Sequence, residues 1–414
     1  MKKNKIFMIG MWHLGCVNAA CMKYFGNNVA CFDFNPNVID DISAGKLPVH
    51  EEGLREFFTD DIILTKDISD ASDYDYIFIT YDIEEKGTDG TRIGIESLLN
   101  KLTKELKPFV KGKTIIIRSQ VILGFCDRLK KALECEVCYF PENLRLGTAI
   151  TNFLAPGWMV FGLSSPALKE RIDELFSPIQ ATRVFTGLRE AEMIKLTMNC
   201  YLATMISFSG EISNLCERYA VDARTVMSTL KLDKRVSPHA PIRPGTGFSG
   251  GTIGRDLAAI IALGSTPVLD AVESVNLHRR NYIKNRLKQL LGVKWDPNLK
   301  GKTITFFGAT YKAGTDTLRD SPTLKEMEML KHSGVTIKVF DPLVKTGIAG
   351  IIDDINDAKN SDAIVIMTDW EGWKNIDYAS LNPTVILDTK GILPEHIKHY
   401  EIGVGHQIGD ETNG

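Results

Sequence analysis

The chain has 414 residues, 44% of them hydrophobic, and a formal net charge of −3 at pH 7. That length suits two or three globular domains. The charge leaves no basic footprint for nucleic acid, and no apolar run of about 18 residues is present to cross a bilayer. Eight cysteines scattered along the chain point to a reducing, cytoplasmic setting in which each acts as a small apolar residue. Cys135 and Cys138 form a CxxC inside a strand-like run with no second pair, so no metal site is expected.

The basic start and short apolar run of MKKNKIFMIGMWHLG are broken by Trp12 and His13 and read as strand, turn and helix. Lys5–Gly10 is an apolar run ending in glycine, a helical pattern follows from Leu14 to Phe25, and VACFDF is a second strand ending at Asp33. This is a βαβ unit with an acidic residue about twenty positions beyond the turn, the layout that binds dinucleotides. Gly10 makes the tight turn and Gly15 allows close helix–strand packing. The pyrophosphate would lie at the helix N-terminus, with Trp12, His13 and Leu14 as cofactor contacts. Asp33 would accept from ribose hydroxyls, which favours NAD over NADP. Trp12 departs from the pattern G-x-G-x-x-G, where a middle glycine lets the backbone approach the phosphates; its ring must turn away or the cofactor must shift.

More strand-like runs follow: YIFIT at 76–80, TIIIRSQ at 114–120 and EVCYFPENL at 136–144. Each is continuously apolar, as strands buried on both faces are. Their ends carry Thr80, Gln120 and Glu142, and ligands of open α/β sheets bind at such ends.

From Glu190 to Tyr219 the pattern is helical over about thirty residues, near 45 Å. Lys195 and Asn199 share one face of it, a turn apart, among apolar neighbours. Next comes RVSPHAPIRPGTGFSGGTIGRD, Arg235–Asp256, with five glycines and three prolines. Glycine is unfavourable inside a helix or strand by about 1 kcal/mol, so the stretch reads as a loop. Long loops inside domains usually bind something. A second long helix is expected at 267–291, and the two long helices suggest a dimerisation core. Beyond residue 301, KTITFFGATYK repeats the strand-then-glycine pattern. A helix at 323–333 and the strands TIKVFDP, AIVIMTDW and VILDTKG follow, making a second doubly wound α/β domain. Lys312, Asp316, Arg319 and Ser321 stand out in YKAGTDTLRDSP, a strand-to-helix loop suited to an anion.

Four segments in this order, PENLRLG (141–147), EAEMIKLTMN (190–199), RPGTGFSGGTIGRD (243–256) and YKAGTDTLRDSP (311–322), resemble the UDP-glucose/GDP-mannose dehydrogenase family over nearly the whole chain. The resemblance implies two Rossmann-like α/β domains joined by a long central helical region. The division would be 1–185 for NAD, 186–295 for dimerisation and the substrate loop, and 296–414 for the nucleotide sugar. Members are usually homodimers and oxidise a sugar C6 alcohol to a carboxylate in two NAD-dependent steps. Substrate contacts are then expected from Leu144, Arg145, Arg235, Arg243, Phe248, Gly250, Lys312 and Arg319.

The same comparison shows departures. The family's loop ends in a GGSCFPKD-like run whose cysteine attacks the aldehyde intermediate; here that position is Thr252. A glutamate tied to thioester hydrolysis falls on Leu146, a strand-end threonine on Gln120, and a lysine on Arg255. Glu142, Lys195, Asn199 and Asp256 remain. Lys195 and Asn199 can stabilise a developing alkoxide, and Asp256 can accept its proton, none of which needs a thiol. The expectation is a two-electron oxidation of a UDP- or GDP-sugar. The alternatives are four-electron formation of a uronic acid, with Thr252 in the place of the nucleophile, or a nucleotide-sugar-binding protein without turnover.

Overall fold

The computed structural model describes residues 3–49, 51–81, 87–142, 144, 147–248, 251–293, 299–318 and 321–409, with 87–93 and 251 described by backbone alone. The chain divides into two compact units, Met1–Thr197 and Met198–Gly414.

The first unit is built on β1 (Lys5–Ile9), β2 (Asn28–Phe32), β3 (Ile63–Thr65), β4 (Tyr76–Ile79), β5 (Thr114–Ile117), β6 (Glu136–Tyr139), β7 (Trp158–Leu163) and β8 (Thr182–Gly187). They form one sheet in the order β3-β2-β1-β4-β5-β6-β7-β8, parallel except where β6 meets β7. Its helices are α1 (His13–Tyr24), α2 (Pro36–Ser43), α3 (Leu54–Phe57), α4 (Gly87–Leu106), α5 (Phe125–Leu133), α6 (Ala149–Leu154) and α7 (Leu168–Leu175). The period of two along each strand sends Ile6 and Met8 into one core and Phe7 and Ile9 into the other. A strand with both faces buried therefore reads as an unbroken apolar run.

The helix α8 (Leu188–Arg218) begins in the first unit and runs into the second. It is followed by α9 (Ala223–Leu230), α10 (Gly251–Ile261), α11 (Pro267–Arg280) and α12 (Tyr282–Leu290). The second sheet comprises β9 (Thr303–Phe307), β10 (Thr336–Phe340), β11 (Ile351–Ile352), β12 (Ala363–Ile366), β13 (Val385–Asp388) and β14 (Tyr400–Glu401), with helices α13 (Pro322–Leu330) and α14 (Tyr378–Leu381). The order β11-β10-β9-β12-β13-β14 is the doubly wound arrangement, with its switch point between β9 and β12.

Two expectations are corrected. The helix expected at 267–291 is broken at Asn281 into α11 and α12. The stretch 235–256 is not a loop throughout, because α10 starts at Gly251, so Thr252 and Asp256 both lie on a helix. Ile253, Leu257, Ile260 and Ile261 recur along α10 and pack with Phe248, Cys200 and Ala203. That packing outweighs the unfavourable propensity of Gly254, about 1 kcal/mol.

Glu326 of α13 is 5% exposed, and its Oε2 has no hydrogen-bond partner among the described residues. Burial pushes its carboxyl up to about 8. The unfolded chain loses this proton near pH 4.3, whereas the folded protein keeps it to about pH 8. This group therefore makes stability fall as pH rises between those values, by up to about 1.4 kcal/mol per pH unit. Urea unfolding across that range should show a downward slope that Glu326→Gln flattens, with the largest gain of the variant above pH 8.

Candidate active site

At the end of β1, Gly10 has φ +103°. A Cβ there would lie 2.9 Å from Tyr81 N, and one on Gly15 would lie 1.9 Å from Gly10 O, so both positions require glycine. Trp12 is the N-cap of α1 with φ −94° and ψ −159°, extended backbone open to any residue. Its side chain is 38% exposed and meets the His13 ring edge-on. That is how the turn does without its middle glycine. Asp33 Oδ2 accepts from Met11 N and Oδ1 from Asn35 N, both at 2.8 Å. The Thr80 hydroxyl donates to the carbonyls of Ile9 and Gly10, closing the turn against β4. Leu14 is buried, and its carbonyl accepts from Asn18 Nδ2 at 2.7 Å. A glycine turn that tolerates no side chain, an uncapped helix N-terminus and an acid at the end of β2 fit NAD.

Along the same sheet edge, Gln120 follows β5 and is partly exposed. Glu142 follows β6, and its Oε1 accepts from Leu144 N. Leu144 packs against the core. Two buried charges sit behind this chain. Arg118 is 2% exposed, donates to Asn18 Oδ1 at 2.9 Å and Phe140 O at 2.8 Å, and lies over the Phe140 ring. Glu51 takes His13 Nε2 at 2.8 Å, Gly147 N at 2.7 Å and Ala149 N at 2.8 Å. Burial works to raise the Glu51 carboxyl, but these three bonds outweigh it and hold it below the ordinary value.

On α8, Lys195 and Asn199 are one turn apart and both buried. Asn199 Nδ2 donates to Asp256 Oδ2 at 2.5 Å, and Arg255 Nε lies 3.6 Å from Asp256 Oδ1. Thr252 is exposed at the start of α10, one turn before Asp256 on the same helix. Cys200 Sγ is 3.7 Å from the Asp256 carbonyl, and burial followed by the Asp256 charge pushes this thiol up to about 11.

The loop before α10 is held by α11. Asn276 pairs with the Phe248 backbone, Phe248 N to Oδ1 at 2.9 Å and Nδ2 to Phe248 O at 3.2 Å. Arg279 donates to Gly245 O and Asn214. A Cβ on Gly247 would lie 2.4 Å from Asn276 Oδ1. Phe248 itself is packed in the core beside Cys200 and Leu257. Arg235 is exposed and paired with Asp233 at 2.8 Å. Arg243 is exposed, and its charge reaches Lys390.

At the ends of the second sheet, burial and then the Arg243 charge push the Lys390 ammonium below its ordinary value, against Asp369 and Asp388. Lys312 is partly exposed in the loop after β9. Asp388, His399 and Glu401 form the group among the described residues whose donor atoms are close enough to hold a metal ion. Those atoms already serve each other and the backbone. Asp388 accepts from the N–H groups of Lys390, Gly391, Ile392 and Leu393. His399 faces Ile397 O and Glu401 Oε1, and Glu401 Oε2 takes Arg224 at 3.0 Å. The arrangement ties β13 and β14 to α9.

Arg145, Gly250 and Arg319, with Leu146, lie outside the described residues. Sequence reasoning missed Glu51, Arg118, Asn276, Arg279 and Lys390. The FD pair at Phe340–Asp341, matching Phe32–Asp33, was a visible signal for the second turn. There Ala309 N donates to Asp341 Oδ2 at 2.7 Å and Gly308 has φ +102°.

Three family models match the chain: the NAD binding domain of the UDP-glucose/GDP-mannose dehydrogenase family at residues 4–180, its central domain at 189–278 and its UDP binding domain at 305–395. A UDP-glucose 6-dehydrogenase of Rickettsia bellii (strain RML369-C) is 29% identical, across 94% of this chain and 95% of its own. The UDP-glucose dehydrogenase structure from Pyrobaculum islandicum superposes with a TM-score of 0.88 at 23% identity, covering 98% of each chain. The UDP-N-acetyl-mannosamine dehydrogenase Cap5O from Staphylococcus aureus gives 0.81 at 21%, covering 97% of this chain and 98% of that one. No helix among the described residues is long and apolar enough to cross a membrane.

Asn276→Ala removes both bonds to Phe248 and leaves two buried backbone groups unpaired. It should destabilise the protein by about 1–3 kcal/mol in urea unfolding, whereas Glu273→Ala, on the exposed face of α11, should change little.

Proposed function

The chain belongs to the UDP-glucose/GDP-mannose dehydrogenase family and is an NAD-dependent oxidoreductase of nucleotide sugars; on that premise we propose that it carries out one two-electron oxidation per sugar, forming a keto- or aldehydo-sugar nucleotide. Bound NAD supplies the hydride acceptor. The Lys195 ammonium and the Asn199 amide lower the energy of the alkoxide that develops on the sugar. Asp256, fixed by Asn199, takes the proton directly or through one water. Glu142 sits at a strand end with the other polar groups of the first sheet and orders the water or sugar hydroxyls nearby.

What supports this reading is the residue at position 252, where the resemblance puts the family's nucleophilic cysteine. Position 252 holds a threonine, whose hydroxyl is far less acidic than a thiol and needs a strong base beside it. All eight cysteines are buried. Cys200, near Asp256, has its thiol pushed up to about 11 and packs into the core, so it supports no covalent hemiacetal.

The substrate is a UDP- or GDP-sugar. The neighbouring cations Arg243 and Lys390, the latter held below its ordinary value, are a favourable setting for a diphosphate. The division into 1–185, 186–295 and 296–414 serves cofactor, assembly and nucleotide sugar. Cytoplasmic location suits the buried thiols. A homodimer is supported by α8, where Met198, Tyr201, Phe208 and Leu215 are exposed at spacings of three and seven, one apolar stripe.

Two measurements check this. NADH counted against sugar consumed should give one per sugar, and Thr252→Cys should raise the ratio toward two if the rest of the site is competent for the acid. Two NADH per sugar in the unaltered protein would refute the reading. Separately, Phe208→Asp with Leu215→Asp should turn a dimer into a monomer in sedimentation velocity without loss of the folded far-ultraviolet spectrum.

A further inference from the structure

The chain that carries Glu142 is suspended between two buried charges, and both are anchored on the same helix. On its entry side, Arg118 holds the carbonyls of Phe140 and Pro141, at 2.8 and 3.4 Å, and is stacked on the Phe140 ring at 3.8 Å. On its exit side, Glu51 holds the amides of Gly147 and Ala149. Gly147 has φ +86°, so the carboxylate meets a backbone conformation that glycine makes possible. Arg118 reaches α1 through Asn18 Oδ1, and Asn18 in turn holds Leu14 O. Glu51 reaches α1 through His13, its first residue. Leu14 and His13 are the residues at which the dinucleotide turn becomes a helix.

Each anchor is an expensive one to build. Arg118 is buried to the point that its guanidinium is pushed down to about 10, by burial first, against the charge of Glu142. A buried charge whose partner is removed destabilises by several kcal/mol, so neither anchor is free to drift while its bonds are intact. Turns elsewhere in this unit are held by backbone hydrogen bonds, as at Gly26, or by a single acid, as at Asp33 and Glu192; here a cation and an anion hold the two ends of one segment. What the charges add is a stiff link from the first turn of α1 to both ends of the Glu142 segment.

We infer that Glu51 and Arg118 are positioning residues that couple dinucleotide binding at the α1 N-terminus to the placement of Glu142, with His13 and Asn18 as the contacts on α1. The inference rests on the proposed function for the role of Glu142, but the coupling itself requires only that NAD binds. A ligand on the N-terminal turn of α1 fixes His13 and Leu14, and through Glu51 and Arg118 it restrains Gly147, Ala149, Phe140 and Pro141. These four anchor residues are then restrained before the sugar arrives.

Hydrogen–deuterium exchange on the full-length protein tests this, with NADH alone and no sugar, at a concentration shown to saturate by NADH fluorescence. The amides of Gly147 and Ala149 should exchange roughly tenfold more slowly with NADH than without it. His13→Leu should abolish that protection at its own saturating NADH, and His13→Gln, which keeps a donor for Glu51, should restore most of it. In turnover, Arg118→Lys should keep more of kcat than Arg118→Met, with the NADH dissociation constant changed less than kcat in both. Unchanged exchange on adding NADH, equal protection in His13→Leu, or full kcat in Arg118→Met overturns the inference. Two NADH per sugar with the protection intact would instead refute the one-step reading and leave the coupling standing.

Discussion

The hydrogen bond from Asn199 to Asp256, 2.5 Å long, is the constraint on which the arrangement of α8 and α10 depends. It joins the long helix α8 to the first turns of α10, both buried at that point. An unpaired carboxylate in such a place would be strongly disfavoured. The amide both satisfies it and aims it. Because α10 starts at Gly251, the same bond fixes the direction in which position 252 projects, one turn earlier. Position 252 lies one turn before the buried Asp256 on α10, and Gly245 and Phe248, ahead of that helix, are held by Arg279 and Asn276. On the proposed reading, threonine at this position leaves the groups for proton removal in place and takes away the covalent step.

The two sheets solve their ligand-binding ends by the same device. In each, the first strand ends in a glycine of φ near +100°, whose N–H is held by the end of the neighbouring strand. The next N–H is held by an acid, Asp33 in one case and Asp341 in the other. In the first unit a helix follows at once, so the free N–H groups of its first turn are offered to a ligand. In the second, no helix follows the glycine at once: α13 starts only at Pro322, capped by Ser321, and Lys312 is partly exposed in between.

Much of this was legible in the residues themselves. The strands β1, β2, β4, β5, β9, β12 and β13 appear as unbroken apolar runs because both faces are buried. The edge strand β8, TRVFTG, has only partly buried residues, and β11 and β14 are two residues long, so neither periodicity nor length marks them. The burial of Lys195 and Asn199 was legible in their spacing among apolar neighbours. The start of α10 was hidden because glycine composition argued for a loop, and only packing against Cys200 and Phe248 reveals the helix. Glu51, Arg118, Asn276 and Arg279 were invisible for a different reason. Each is an ordinary polar residue whose importance comes from partners 22 to 100 positions away, and no local pattern encodes such a pairing. The eight cysteines, read as small apolar residues, are all buried.

The central claim, that this scaffold oxidises its sugar once, is tested most directly by the mass of the product released in a complete reaction with NAD and a nucleotide sugar that the protein turns over. A product lighter than its substrate by two hydrogen atoms, a ketone or aldehyde, is the predicted result. A product that has lost two hydrogen atoms and gained one oxygen, a carboxylic acid, would contradict it.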